Sequence, residues 1–203
     1  MILPFRLRRC PVARPIWLPC FFRKILPMPH AQTVQDLQQL NAASLAHFTA
    51  ALADVFEHSP WVPERAAAER PFRDVTALHQ AMCAVVRQAS DAEQMALLRA
   101  HPELAGRQAQ RGELTTASTH EQARAGLNAL SSEEMARITA LNAAYMQRHT
   151  FPFIVCVGQH TKHSLFAEFE RRAHHPSHSE KPEALQQVEA IAKLRLDAMF
   201  AAG

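Results

Sequence analysis

Glycine is scarce in this chain, five in 203 residues, and no Gly-rich loop that could cradle a phosphate occurs. Few glycines beside many alanines and leucines favour helix over sheet. No apolar run approaches the ~20 residues that a membrane-spanning helix needs, so no membrane partner is expected. There is no internal repeat and no heptad seam. No His-Glu-x-x-His occurs, and Cys10, Cys20, Cys83 and Cys156 lack metal-site spacing. The four read as reduced thiols of a cytosolic protein. His160-x-x-His163 and the cluster His174, His175 and His178 are loosely metal-like, but no acidic or cysteine partner sits at a fixed distance. They read as solvated loop histidines and Lys181 as surface charge, so no metal is expected.

Acidic residues are missing from residues 1–29, which hold Arg6, Arg8, Arg9, Arg14, Arg23, Lys24 and six of the 13 prolines. The formal charge of +3 therefore hides an acidic body over 30–203. That body offers no phosphate-binding surface, so no nucleic-acid partner is expected. The prolines prevent a lasting helix in 1–29. Pro15 and Pro19 cut the apolar stretch a secretory signal needs, and the absence of serine is unlike a transit peptide. Residues 1–29 read as a basic, Pro-rich extension without a fold, with Met28 as an alternative start; a targeting or membrane-surface role is the other reading. The ending Phe200-Ala201-Ala202-Gly203 lacks a Ser-Lys-Leu-type signal, which leaves the cytoplasm as the expected location.

A hydrophobic content of 48% suffices for one packed domain over 30–203. From Thr33 apolar residues recur at spacings of three and four, with Asn41 a candidate cap. His58–Phe72, with three prolines, reads as a turn-rich joint. Helices are expected over 74–88 and from the Ser90–Glu93 capping box to His101, where Pro102 stops the turn. Residues 103–117 read as a loop with a short helical start. Further helices are expected from the Ser118–Glu121 capping box to Leu130, from Ser131, over 163–174, and over 183–200. Phe151–Val157 is apolar and open to two readings, a buried strand or a buried helix start. The sum is an all-α domain of about seven or eight helices.

Three places invite chemistry. At 100° per residue, Val188, Ile191, Ala192, Arg195 and Met199 share one face of the last helix, with Arg195 near the middle. A guanidinium in an apolar stripe requires a carboxylate, a ligand anion or a route to water. Ser118, Glu121 and Gln122 sit at an expected helix start, which suits a routine cap or an anionic ligand, and the Gln122 amide can pair with a urea or imide edge. His101-Pro102 is either a simple stop or an imidazole held by a rigid backbone.

Taken together, these segments resemble the family of 2-oxo-4-hydroxy-4-carboxy-5-ureidoimidazoline (OHCU) decarboxylases. The stretch "LNAASLAHFTAALADVFEHSPWV" is similar to the family's opening signature. "HPELAG", "STHEQ", "FPFIVCV" and "IAKLRLDAMF" resemble four later blocks, in order, across about residues 36–200. The resemblance implies an all-helical, usually dimeric lyase of purine catabolism, without metal or organic cofactor. Such an enzyme decarboxylates the small molecule OHCU to (S)-allantoin in urate degradation. It also implies catalytic roles for His101, Glu121 and Arg195. It implies substrate contacts by Pro102, by Ser118, Thr119, His120, Glu121 and Gln122, and by the backbone of Phe153, Ile154, Val155, Cys156 and Val157. Thr150 stands where the family leads one to expect a glycine. The competing readings are a non-catalytic helical ligand-binding module, a helical nucleic-acid binder, and a decarboxylase of a related ureido acid.

Overall fold

The computed structural model describes residues 36–201. The expected extension 1–29, with Cys10 and Cys20, lies outside the described residues. Within them the chain is all-helical. Ten α-helices follow in order: α1 Leu37–Ala42, α2 Leu45–Ala51, α3 Trp61–Ala66, α4 Val75–Gln88, α5 Asp91–Ala100, α6 Arg107–Arg111, α7 Thr116–Arg124, α8 Ser132–His149, α9 Lys162–Ala173 and α10 Ser177–Ala201. No strand occurs among the described residues.

The number exceeds the expected seven or eight because short helices hide in segments that read as loops. Within His58–Phe72, Pro60 is the N-cap of α3 and Pro63 its third residue. First-turn N–H groups lack intrahelical partners, so proline there removes nothing. Asn41 caps no helix. Ser44 caps α2, and Asn41 instead clips Phe72: its Nδ2 donates to the Phe72 carbonyl and its Oδ1 accepts the Phe72 N–H, both at 2.8 Å. The loop over 103–117 contains α6, ended by Gly112 in the left-handed conformation. Ser177 opens α10 six residues before the expected start, with Pro182 inside.

The capping boxes expected at Ser90 with Glu93 and at Ser131 with Glu134 both form. The third does not: Thr115 caps α7 through the Ser118 N–H, so Ser118 lies one turn inside. That offset turns Ser118, Glu121 and Gln122 inward.

Helix α10 packs against α4, α5 and α8, while α3 packs on α2 and α4. Phe151–Cys156 is neither strand nor helix, and Val157 opens a single 3-10 turn, Val157–Gln159. The former is an irregular buried segment crossing the core. Extended backbone lacks its own ladder, so it needs partners from elsewhere. Two come from side chains: Arg172 Nη1 donates to the Ile154 carbonyl at 2.8 Å, and the Cys156 N–H donates to Gln187 Oε1 at 2.9 Å. The Phe153 ring stacks on Phe169 with centroids 3.9 Å apart, under the Arg172 guanidinium. Arg172 and Glu180 are both fully buried. Glu180 accepts from Arg172, from the Tyr145 hydroxyl and from His175. Such a charge pair is tolerable only with its remaining polar atoms satisfied, as here.

Thr150, the last-turn cap of α8, has φ +64°. A β-branched residue there is strained by about 1–2 kcal/mol. Arg99 holds it, donating Nε to its carbonyl at 3.0 Å and Nη2 to its hydroxyl at 3.3 Å. Thr150→Gly is expected to raise the unfolding free energy by about 1 kcal/mol in urea titration. Thr150→Ala, which keeps a Cβ in that conformation, should bring no gain.

Candidate active site

Helix α5 delivers His101 to its C-terminal end, where Pro102 forces extended backbone. The imidazole is buried, with Nδ1 2.9 Å from the Leu97 carbonyl. A ring nitrogen facing a carbonyl must carry the proton, which leaves Nε2 as the lone-pair nitrogen of a neutral ring. Burial pushes the His101 pKa down to about 4, against the opposing pull of the Leu97 carbonyl and the Glu57 charge. At neutral pH the group is a base awaiting a proton.

The following loop is held by side chains. Asn142 Nδ2 donates to the Leu104 carbonyl at 2.9 Å, and the Ala105 N–H donates to Gln122 Oε1 at 2.9 Å. Ala105 has φ +49°. At Gly106 any Cβ would lie 2.6 Å from the Glu103 Cβ, so the turn admits only glycine. Because Gln122 spends its oxygen on Ala105, its Nε2 remains to donate.

Arg195 meets two carboxylates, Glu57 and Glu121. Its Nη1 donates to Glu57 Oε2 and to the Asp54 carbonyl, both at 2.8 Å. Its Nε and Nη2 donate to Glu121 at 2.7 and 2.8 Å, and Nη2 also reaches Ser118 Oγ at 3.2 Å. The requirement stated for a guanidinium in this stripe is therefore met by carboxylates. Glu57 itself is 1% exposed. It accepts Thr115 Oγ1 at 2.8 Å and Ser118 Oγ at 3.0 Å. Burial pushes its pKa up, yet Arg195 and the Thr115 hydroxyl outweigh that and hold it below the usual carboxylate range.

His101, Pro102, Ser118, Glu121, Gln122, Phe153, Ile154, Val155, Val157 and Arg195 all line one cavity of about 30 Å³. Three expected substrate contacts stand elsewhere. Thr119 and His120 are exposed, because the earlier start of α7 rotates them off the inner face. The Thr119 hydroxyl bonds the Thr115 carbonyl. Cys156, with His120, lines a separate cavity of about 550 Å³, and its N–H is bound by Gln187. Burial raises the Cys156 pKa and pushes that of Cys83 up to about 12; both are free thiols. Glu121 contacts Arg195 and does not reach the imidazole. Of the loop histidines, His175 is bound to Glu180, and no group of three metal-ligating side chains occurs among the described residues.

The residue that the sequence reading missed is Glu57. Its signal is an acid directly after the apolar pair Val55-Phe56, in the stretch Leu52–Glu57 whose other acid is Asp54.

A protein-family model described as OHCU decarboxylase matches residues 41–197. A 2-oxo-4-hydroxy-4-carboxy-5-ureidoimidazoline decarboxylase of Haloferax volcanii is 42% identical over 164 residues, covering 81% of this chain and 95% of that protein. A solved (S)-allantoin synthase superposes with a TM-score of 0.63 at 29% identity, covering 81% of this chain; the chain spans 53% of that protein's length. A solved OHCU decarboxylase, with (S)-allantoin present, superposes with a TM-score of 0.60 at 16% identity over 73% of this chain and 96% of that one, a likeness of fold.

Arg195→Met removes the countercharge of a buried carboxylate. At pH 7 it is expected to cost about 3–5 kcal/mol of unfolding free energy. Glu57 stabilises the wild type while ionised, and that contribution fades as pH falls through the carboxylate range. In the variant Glu57 takes up a proton more readily, so the gap should narrow toward pH 4. Urea titrations of both proteins at the two pH values measure it.

Proposed function

The chain belongs to the OHCU decarboxylase family, and from that premise we infer that it is a carboxy-lyase converting OHCU to (S)-allantoin in urate degradation. The observation that carries this reading is one cavity wall shared by a neutral imidazole, a carboxylate-bound guanidinium, a free amide donor and a run of backbone. The backbone N–H groups of Ile154, Val155 and Val157 have no partner among the described residues. With Gln122 Nε2 they offer donors to the carbonyl oxygens of a ring and a ureido arm. We assign Arg195 to an anionic oxygen of the substrate, and Glu121, whose two oxygens rest on Arg195 in the empty site, to a ring or ureido N–H once that edge of the guanidinium is taken by the substrate. Ser118 and Pro102 shape the wall beside them.

The substrate's name gives its chemistry. One ring carbon carries a hydroxyl and a carboxylate; the next carries the ureido group and is doubly bonded to nitrogen. Breaking the carbon–carboxylate bond sends its electron pair toward that C=N unit, whose nitrogen takes one proton from solvent. His101 Nε2 accepts the hydroxyl proton, so that carbon becomes a carbonyl. The imidazolium then returns the proton to the ureido-bearing carbon, on one face only. One CO2 leaves and one proton is gained. Neutral His101 suits the first transfer, and its orientation by Leu97 suits delivery to a fixed point.

Residues 30–203 form the catalytic domain in this proposal, and the enzyme is a cytoplasmic homodimer. The resemblance supports the dimer, and the unpaired thiols Cys83 and Cys156 support a reducing compartment. No helix among the described residues is long and apolar enough to cross a membrane.

The test is circular dichroism of freshly generated OHCU, with and without the protein. Accelerated decay to optically active (S)-allantoin is the expected result; decay at the spontaneous rate to racemic product would refute it. His101→Asn should lower kcat/KM by about 10²–10⁴. The free enzyme needs His101 neutral, so kcat/KM should hold from pH 8 to below pH 6 and fall only toward pH 4. A midpoint at the ordinary histidine value of ~6.5 would contradict the buried neutral ring.

A further inference from the structure

Arg195 has five N–H donors, and all five are taken within the protein. Nε and one Nη2 hydrogen go to Glu121, the other to Ser118, and the two on Nη1 go to Asp54 and Glu57. A guanidinium so saturated can bind a substrate anion only by giving up a partner. Its two carboxylate partners differ sharply in what holds them. Glu57 is 1% exposed and gripped by two further hydroxyls. The Glu121 side chain is 29% exposed, and Arg195 is its only hydrogen-bond partner among the described residues.

Volume points the same way. The cavity at His101 measures about 30 Å³, room for a couple of waters. An imidazoline ring bearing carboxylate, hydroxyl and ureido groups needs far more. The neighbouring cavity of about 550 Å³ shares Glu121, Val157, Ile191 and Arg195 with it. The Glu121–Arg195 pair is thus part of the partition between the two spaces. On the far side stands Arg124, one turn along α7, without an ion pair among the described residues. At i,i+3 it can receive a displaced carboxylate.

Resting on the decarboxylase reading, we propose that Glu121 is a place-holder for the substrate's carboxylate. In the empty enzyme it occupies the Nε–Nη2 edge of Arg195. The incoming carboxylate displaces it toward Arg124, which joins the two cavities and leaves room for the ureido arm. Glu57 stays and keeps the guanidinium aimed. Exchange of one carboxylate for another conserves the bidentate geometry and the local charge, so a neutral ligand gains nothing from it. Glu121 is in this sense a specificity residue, selecting ligands that bring their own carboxylate.

The test uses two stable compounds: allantoate, which carries a carboxylate and ureido groups, and allantoin, which carries no carboxylate. Calorimetric titration of wild type and Glu121→Gln compares them. The neutral amide competes less well for Arg195, so allantoate should bind the variant roughly tenfold more tightly, with allantoin changed less than about twofold. Glu121→Asp keeps the charge and should bind allantoate no better than wild type. Equal or weaker allantoate binding by Glu121→Gln, or no detectable binding to either protein, overturns the proposal. These affinities are read apart from turnover. Failure to decarboxylate OHCU with the selective gain intact would sink the functional reading and leave the exchange standing.

Discussion

The structure turns on the ion pair between Arg195 and Glu57. Glu57 sits behind the C-terminal end of α2 and Arg195 in the last turns of α10, more than a hundred residues apart in sequence. Neither group would be stable there alone, because an unpaired buried charge costs several kcal/mol. Together, with Thr115 and Ser118 filling the remaining carboxylate positions, they tie α10, α7 and the segment after α2 around one point. Desolvating the pair carries a cost that apolar side chains of similar volume would avoid. The same burial keeps His101 neutral, so the site holds a free base beside a fixed positive charge.

A second buried pair, Arg172 with Glu180, does a different job. It lies under the segment 151–157 and fixes Ile154 from behind, while Gln187 fixes Cys156. The N–H groups of Ile154, Val155 and Val157 are left without a partner among the described residues, while the Cys156 and Val157 carbonyls accept from the Gln159 and His160 N–H groups. The apolar side chains of this segment are buried in the core while Phe153, Ile154, Val155 and Val157 also line the cavity. The strained residues Thr150 and Ala105 stand beside the two cavity-lining stretches, Thr150 accepting a hydrogen bond from Arg99 and Ala105 donating its N–H to Gln122.

Much of this was legible in the sequence, for identifiable reasons. The helix ends at His101 and the capping boxes at Ser90 and Ser131 follow from local chemistry that tertiary contacts do not override. Arg195 was legible because a charge in an apolar stripe is conspicuous. Glu57 was not, because its apolar pair lies in a non-helical stretch with no period against which a charge stands out. The α7 start lies one turn before the expected one because Thr115 and Ser118 are equally good caps in sequence, and both hydroxyls also bond the buried Glu57. Short α3 and α6 were hidden by proline and polar residues that are compatible with first turns. The early start of α10 was hidden likewise, since the donors stabilising it come from α8 and α9.

A double-mutant cycle across Glu57 and Arg195, with Glu57→Gln and Arg195→Gln, reads the central constraint directly when both unfolding free energy and kcat/KM are followed in the same four proteins. The account predicts strong coupling in both, with the double variant much less impaired in stability than the sum of the single changes. Additivity within about 0.5 kcal/mol in both quantities would contradict it, and would reduce the pair to two charges that happen to be neighbours.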